Sequence, residues 1–235
     1  VGNSNGQLVI IDENTGKVTF LNDILNKNSI PDDLKYVNDI YVKGNIAYVA
    51  TKYGISSVRL HDNNFGDSYF IGDAGAFASV VQITSVDGFL YAATEEFGLK
   101  RISLSNSNLI DYEQWEIYSY AQWLSIVDFG GNLIGVKADL TLNRFENNAP
   151  IAVDNVYGGF YRLNAYQNEL TVVTIESVRL YNGNLAKDFE YLFNEQTGRF
   201  NCALVKNGTF FLGTKEKGAF IINPTTNNLD VISPN

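Results

Sequence analysis

The 235-residue sequence predicts an all-β chain, a β-propeller built from four-stranded antiparallel blades. Three observations lead there. The stretch Asn38–Leu60 reads as three short strands, broken by a two-residue turn at Gly44-Asn45 and a second turn ending at Gly54. The stretch Gln82–Leu104 repeats it, with Asp87-Gly88 and Gly98 at the turns. The turn anchors Gly44, Gly88, Gly131, Asn168 and Gly208 lie 44, 43, 37 and 40 residues apart, the period of propeller blades rather than of leucine-rich, ankyrin or tetratricopeptide repeats. The strands Ile46–Thr51, Phe89–Thr94 and Thr209–Thr214 carry apolar or small residues on both faces, as strands do when neighbouring sheets cover both. A β-sandwich would alternate more clearly.

In chain order, Asn3–Asn22 is half a repeat. Gly6 stands where Gly54 and Gly98 stand later, and the hairpin turn Asp12–Lys17 separates its two strands, with Asp, Asn and Gly as the turn residues. The two strands expected before it are missing. A polar connector with Pro31-Asp32-Asp33 leads into the first full repeat, 36–71, followed by 79–118, 122–153, 162–192 and 200–232. The chain is thus expected to be a single propeller domain or fragment, five full repeats plus a half blade, part of a ring or of a six- to seven-bladed one.

Composition narrows the function classes. The formal net charge is −9 with no run of Lys or Arg, whereas a protein that neutralises nucleic-acid phosphates needs a clustered basic surface; nucleic acid is not an expected partner. No apolar stretch approaches the ~20 residues that cross a bilayer as a helix. The single cysteine, Cys202, forms no internal disulfide and leaves the compartment open. No catalytic constellation, cofactor site or metal site is expected. His61 is the only histidine and sits just before an expected outer hairpin at Asp62-Asn63-Asn64, which leaves little scope for general acid–base chemistry. Cys202 reads as a small core residue. Asp62, Asn64, Asp67 and Asp73 have the wrong glycine placement and flanks for a calcium loop and read as turn residues. Asp32/Asp33 and Glu95/Glu96 read as adjacent turn acids rather than a glycosidase pair. Asn207-Gly208-Thr209 matches a glycosylation sequon and is equally a hairpin turn.

The unit Val86–Arg101, a turn followed by an aromatic-containing strand, Thr94, Gly98, Leu99 and a basic residue, resembles the two-component-regulator propeller repeat of Bacteroidetes extracellular sensors. The wider order runs from Asn5–Ile10 through Val37–Tyr41, Ala47–Ile55, Ser68–Gly72, Leu90–Thr94 and Asp111–Trp115. It resembles the N-terminal propeller of PorZ-type proteins of the type IX secretion system, most clearly over residues 5–118. The resemblance implies a non-enzymatic binding and scaffold module at the outer-membrane surface of a Gram-negative bacterium, or in its periplasm. It further implies partners among the other proteins of the complex that trims secreted cargo and attaches it to anionic lipopolysaccharide, or in that lipopolysaccharide or another glycan. The alternative is the extracellular sensory propeller of a hybrid histidine kinase that binds a glycan.

Aromatic residues at the crossings between repeats are the candidate binding surface: Trp115 and Trp123 at one crossing, and Tyr157, Phe160 and Tyr161 at the next. Rigid aromatics there either pack between blades or stack on sugar rings and anchor a partner.

Overall fold

The computed structural model describes residues 1–232 except Gln196, Asn207, Pro224, Thr225 and Asn227, and all side chains in that set except those of Tyr161 and Asn228. It contains an N-terminal hairpin, β1 (Leu8–Ile11) with β2 (Val18–Leu21), followed by five four-stranded sheets. Blade 1 is β3 (Val37–Lys43), β4 (Ile46–Thr51), β5 (Gly54–Arg59) and β6 (Asn64–Tyr69). Blade 2 is β7 (Val80–Val86), β8 (Phe89–Thr94), β9 (Leu99–Ser103) and β10 (Glu116–Ser119). Blade 3 is β11 (Trp123–Phe129), β12 (Asn132–Lys137), β13 (Thr141–Glu146) and β14 (Ala149–Asn155). Blade 4 is β15 (Phe160–Tyr166), β16 (Glu169–Thr174), β17 (Ser177–Tyr181) and β18 (Lys187–Leu192). Blade 5 is β19 (Phe200–Lys206), β20 (Thr209–Thr214), β21 (Ala219–Asn223) and β22 (Asn228–Ile232). Within each blade the strands are hydrogen-bonded in sequence order, the meander that tight hairpin turns impose. This is the propeller blade. The chain falls into two compact units, Val1–Trp123 and Leu124–Asn235.

The half blade is more complete than its sequence suggests. Val1 exchanges both backbone hydrogen bonds with Val9, each 2.7 Å, and Gly2 bridges Leu8. Val1 and Gly2 therefore pair with β1 on the edge opposite β2. The Asn3–Gln7 turn matches Thr94–Gly98, since Asn3 N–H donates to the Gln7 carbonyl as Thr94 N–H donates to that of Gly98.

The cores lie between sheets. In the first unit, Tyr48, Ile55 and Ile71 pack with Ile83, Leu90 and Ile102, joining blade 1 to blade 2. Leu8 and Ile24 pack with Ala47, Val49, Tyr53 and Val58, joining the hairpin region to blade 1. In the second unit, Val136 and Leu142 meet Leu163, Val172 and Tyr181 between blades 3 and 4, and Val173 and Val178 meet Phe200, Phe210 and Leu212 between blades 4 and 5. Covered on both faces, β4 and β8 are buried at every residue but the first. β20 departs from the expectation drawn from its sequence. It alternates, with Phe210 and Leu212 buried and Phe211 36% exposed, because no further sheet packs on the Phe211 face among the described residues.

The first strands carry a shared irregularity. Register shifts fall between Val37 and Asp39, Val80 and Gln82, Phe160 and Arg162, and Phe200 and Cys202. Such a bulge re-aims the side chains beside it. Here they reach the neighbouring blade: Asn38 Nδ2 donates to the Val80 carbonyl at 2.7 Å and Asp39 Oδ2 accepts from Ile83 N–H at 3.3 Å. In the second unit Ser125 Oγ accepts from Leu163 N–H at 3.3 Å, and Asn164 Nδ2 donates to the Ala203 carbonyl at 2.9 Å.

Candidate functional site

The loop between the second and third strands of a blade is held by one side chain at its start. Thr51, Thr94 and Thr214 Oγ1 donate to the carbonyls of Gly54, Gly98 and Gly218 at 2.8–2.9 Å, and Thr174 Oγ1 donates to the Ser177 carbonyl at 3.1 Å. A threonine hydroxyl can donate and accept at once, so Thr94 and Thr214 also take the N–H of Phe97 and Lys217. Blade 3 uses a carboxylate instead. Asp139 Oδ1 accepts from Thr141 Oγ1 at 2.6 Å and Thr141 N–H at 3.1 Å, and Oδ2 accepts from Lys137 Nζ at 2.9 Å. These bonds, Thr141's hydroxyl foremost, lower the Asp139 pKa to about 2.

Three of these loops carry a glutamate two residues after the threonine: Glu96, Glu176 and Glu216. In blade 2, Glu96 Oε2 accepts from Ser79 N–H at 3.1 Å, and in blade 5, Glu216 Oε2 accepts from Arg199 N–H at 3.3 Å. Each closes its loop onto the residue that enters its own first strand. Blade 4 has the same backbone contact, Ile175 N–H to the Gly159 carbonyl at 2.9 Å, matching Glu95 to Ser79 and Lys215 to Arg199. The carboxylate of Glu176, however, accepts no hydrogen bond among the described residues. It lies against the Gly158 backbone, where an added Cβ would come within 2.7 Å of Oε2, and Ile175 lies over Gly159 in the same manner at 2.8 Å. Both glycines have positive φ, 84° and 76°, a conformation that side chains other than glycine's resist.

An open cleft of about 660 Å³ results on the second unit, lined by Ile175, Glu176, Leu192, Phe193 and Arg199. Its volume is within the range of ligand sites. Leu192 is 64% and Phe193 42% exposed, high values for large apolar side chains. Beside the cleft, the Gly158-Gly159 turn presents Tyr157, 68% exposed.

The five aromatic residues singled out in the sequence do not form one surface. Trp115 and Trp123 are corrections: they are 4% and 0% exposed. Trp115 Nε1 donates to the Leu109 carbonyl at 2.9 Å within the blade 1–blade 2 core, and Trp123 Nε1 donates to Ser119 Oγ at 3.2 Å. Burial with the indole N–H satisfied is the packing alternative, and it removes both from a ligand's reach. Phe160 is half-buried against the blade 3–blade 4 core, Tyr157 stands free, and the side chain of Tyr161 lies outside the described residues. Sequence reasoning missed the apolar wall at Leu192-Phe193 and its neighbour Arg199, and the signal was available: two consecutive large apolar residues at the end of a fourth strand, just before a turn.

Cys202 is exposed rather than a core residue. It occupies the third position of β19, directly after the bulge, where Asp39 and Ser125 reach a neighbouring blade in their own sheets. No sheet meets it on that side among the described residues. His61 is on the outer hairpin, where Asn45 Nδ2 donates to its Nδ1 and Asp62 lies 3.5 Å from Nε2. Asp62 accepts from the backbone and side chain of Asn64, and Asp73 lies 3.9 Å from Lys100. Asp32 pairs with Lys35 at 2.7 Å. Asn207 of the sequon lies outside the described residues. Among the described residues, no three His, Cys, Asp or Glu side chains converge as a metal site would require.

Comparison with solved structures places these blades in a known fold. Over 99% of this chain and 30% of the other, the structure superimposes on PorZ of Porphyromonas gingivalis, described as an essential bacterial surface component of the type IX secretion system, with a TM-score of 0.79 and 16% identity. The chain therefore spans less than a third of that protein. It also resembles the WD40 β-propeller domain of Doa1 (TM-score 0.62, 12% identity, 82% of this chain and 67% of that one) and the dihydro-heme d1 dehydrogenase NirN (TM-score 0.63, 11% identity, 99% and 53%). At these identities the likeness is one of fold. No curated protein sequence matches the chain. Residues 1–116 do match a family profile, that of the N-terminal β-propeller domain of the type IX secretion protein PorZ.

Proposed function

We propose that the chain is a non-catalytic propeller segment of a PorZ-type component of a type IX secretion system. It works at the outer-membrane surface, contacting other proteins of the complex or anionic lipopolysaccharide. The observation that carries this reading is the family match over residues 1–116. Fold likeness alone would not carry it, because a WD40 domain and a dehydrogenase share the blades. The exposed residues support binding over chemistry: the only histidine is on an outer hairpin, and the fourth blade presents an open cleft beside Tyr157. Tyr157, 68% exposed on the crossing into blade 4, is assigned to the contact surface.

The test is deletion of the gene in the native bacterium, followed through one secreted cargo protein. Loss of that protein from the cell surface and its accumulation in the medium is the expected result, and unchanged surface attachment would refute the reading. A thermal shift of the purified chain then separates the two kinds of partner, because a ligand selective for the folded state raises the melting temperature. A dose-dependent rise with lipopolysaccharide, absent with neutral polysaccharide, assigns the lipopolysaccharide contact to this segment; a flat response assigns it to protein partners.

A further inference from the structure

The blade 4 cleft has a charged border that its apolar wall does not explain. Arg199 lines the cleft, and the blade 5 loop that carries Lys215 and Lys217 lies against the Gly198-Arg199 segment. Lys215 N–H donates to the Arg199 carbonyl at 3.0 Å, and an added Cβ on Gly198 would come within 2.9 Å of Lys217 Cγ. All three basic residues are exposed, and none takes part in an ion pair among the described residues. The neighbouring acid, Glu216, is turned onto Arg199 N–H. On a chain of net charge −9, Arg199, Lys215 and Lys217 outnumber the carboxylates of Glu176 and Glu216 on this border, and a local excess of positive charge selects and steers a complementary partner.

We infer that this cleft is a docking site for an acidic, apolar peptide segment of a partner protein, with an aliphatic or aromatic side chain against Leu192 and Phe193 and a neighbouring Asp or Glu facing Arg199, Lys215 and Lys217. An apolar anchor in a pocket with charges at its rim is how short segments gain both affinity and selectivity. The carboxylate of Glu176, without a hydrogen bond or ion pair among the described residues, sits on the same cleft and repels a polyanion running across it, which favours a peptide with a single localised acidic group over a phosphorylated glycan. The inference goes beyond the secretion reading and does not depend on it: the cleft lies in the second unit, outside residues 1–116 that carry the family match.

The experiment is selection of random decapeptides on the immobilised intact chain, with affinities of the winners read by fluorescence anisotropy. The expected consensus is Asp or Glu within one or two positions of Phe, Leu or Ile. Arg199→Glu combined with Lys217→Glu, both surface changes, is expected to weaken binding about tenfold, and Leu192→Asp by a similar factor, with circular dichroism unchanged. Binding should also fall as the screening length shrinks from about 30 Å to about 3 Å between roughly 0.01 and 1 M salt. Enrichment of basic peptides, winners that bind the charge-reversed chain equally well, or displacement of peptide by lipopolysaccharide with the same residue dependence would each overturn the proposal. So would a selection with no consensus.

Discussion

The Thr94–Gly98 loop of blade 2 and the Thr174–Ser177 loop of blade 4 begin with the same hydroxyl device and end differently. In blade 2 the loop is closed: Glu96 takes Ser79 N–H, and Gly98, with φ 71°, lies under the Ser119 carbonyl, which would be 2.3 Å from an added Cβ. In blade 4 the third strand starts at Ser177 without a glycine, Glu176 lies against Gly158 with no hydrogen bond to its carboxylate among the described residues, and the end of β18 turns Leu192 and Phe193 outward. Identical strand frameworks thus yield a sealed loop in one blade and an open cleft in the other. The difference rests on a few loop residues, because strand pairing and inter-sheet packing hold the framework regardless of them.

The sharpest way to break this comparison is through the two crossings. Trp115→Ala should cost about 3–5 kcal/mol, the range for emptying a large aromatic site in a core, whereas Tyr157→Ala on the open side should stay within about 0.5 kcal/mol. Urea unfolding followed by far-ultraviolet circular dichroism measures both, and equal effects would mean that the two crossings are built alike. Next come the glycines. Gly98→Ala should lose about 3 kcal/mol, since a Cβ meets backbone as well as an unfavourable φ. Gly158→Ala has the Glu176 side chain rather than backbone as its nearest neighbour, from Oε2 at 2.7 Å to Cβ at 3.2 Å, and should lose about 1 kcal/mol; the same urea series checks the ranking. Smaller still, Glu96→Gln weakens a charge-assisted bond and should cost about 1 kcal/mol, while Glu176→Gln should be neutral. Amide hydrogen exchange at Ser79 reports the first of these directly: faster exchange in the variant is expected, and an unchanged rate would show that Glu96 does not close the loop.

The smallest effect concerns blade 3, where a carboxylate replaces the threonine. Its folded-state pKa of about 2 lies below its ordinary value of 3.8. The stability it contributes is therefore fully present above pH 3.8 and is lost as pH falls from there toward 2. Solvent screening keeps that contribution small, because Asp139 is 55% exposed. Carbon-detected nuclear magnetic resonance titration of the Asp139 carboxyl should give a midpoint near 2, and Thr141→Val should move it upward. A midpoint near 3.8 would remove the Thr141 hydroxyl from the loop's architecture.

Much of the fold was legible in the sequence because its signals are local. Gly44, Asp87-Gly88 and Gly131 mark hairpin turns whose backbone needs positive φ, and their spacing transmits directly into blade period. Gly54 and Gly98 announce a close approach of backbone: a Cβ at Gly54 would sit 2.3 Å from the Tyr69 carbonyl, just as one at Gly98 would meet Ser119. In blade 3 that signal vanishes, since Leu140 takes φ 62° where blades 1, 2 and 5 have glycine, which is why the third repeat reads weakly.

The candidate site was legible only in part, and the reason is physical. By itself the sequence determined an all-β chain of five repeats and a half, the strand order within each, and a set of aromatic residues at the crossings. Only the tertiary structure decided which aromatics face water, because that depends on what the neighbouring sheet covers. Trp115 and Trp123 have a core to enter and backbone or hydroxyl acceptors for their indole N–H groups, and Tyr157 has neither. It also decided that Ile175, Phe193 and Arg199, scattered over 25 positions of sequence, meet at one edge of two adjacent blades. Strand periodicity says which residues share a face of a sheet. It carries no information about which loops of successive sheets come together, and the cleft is made of such loops.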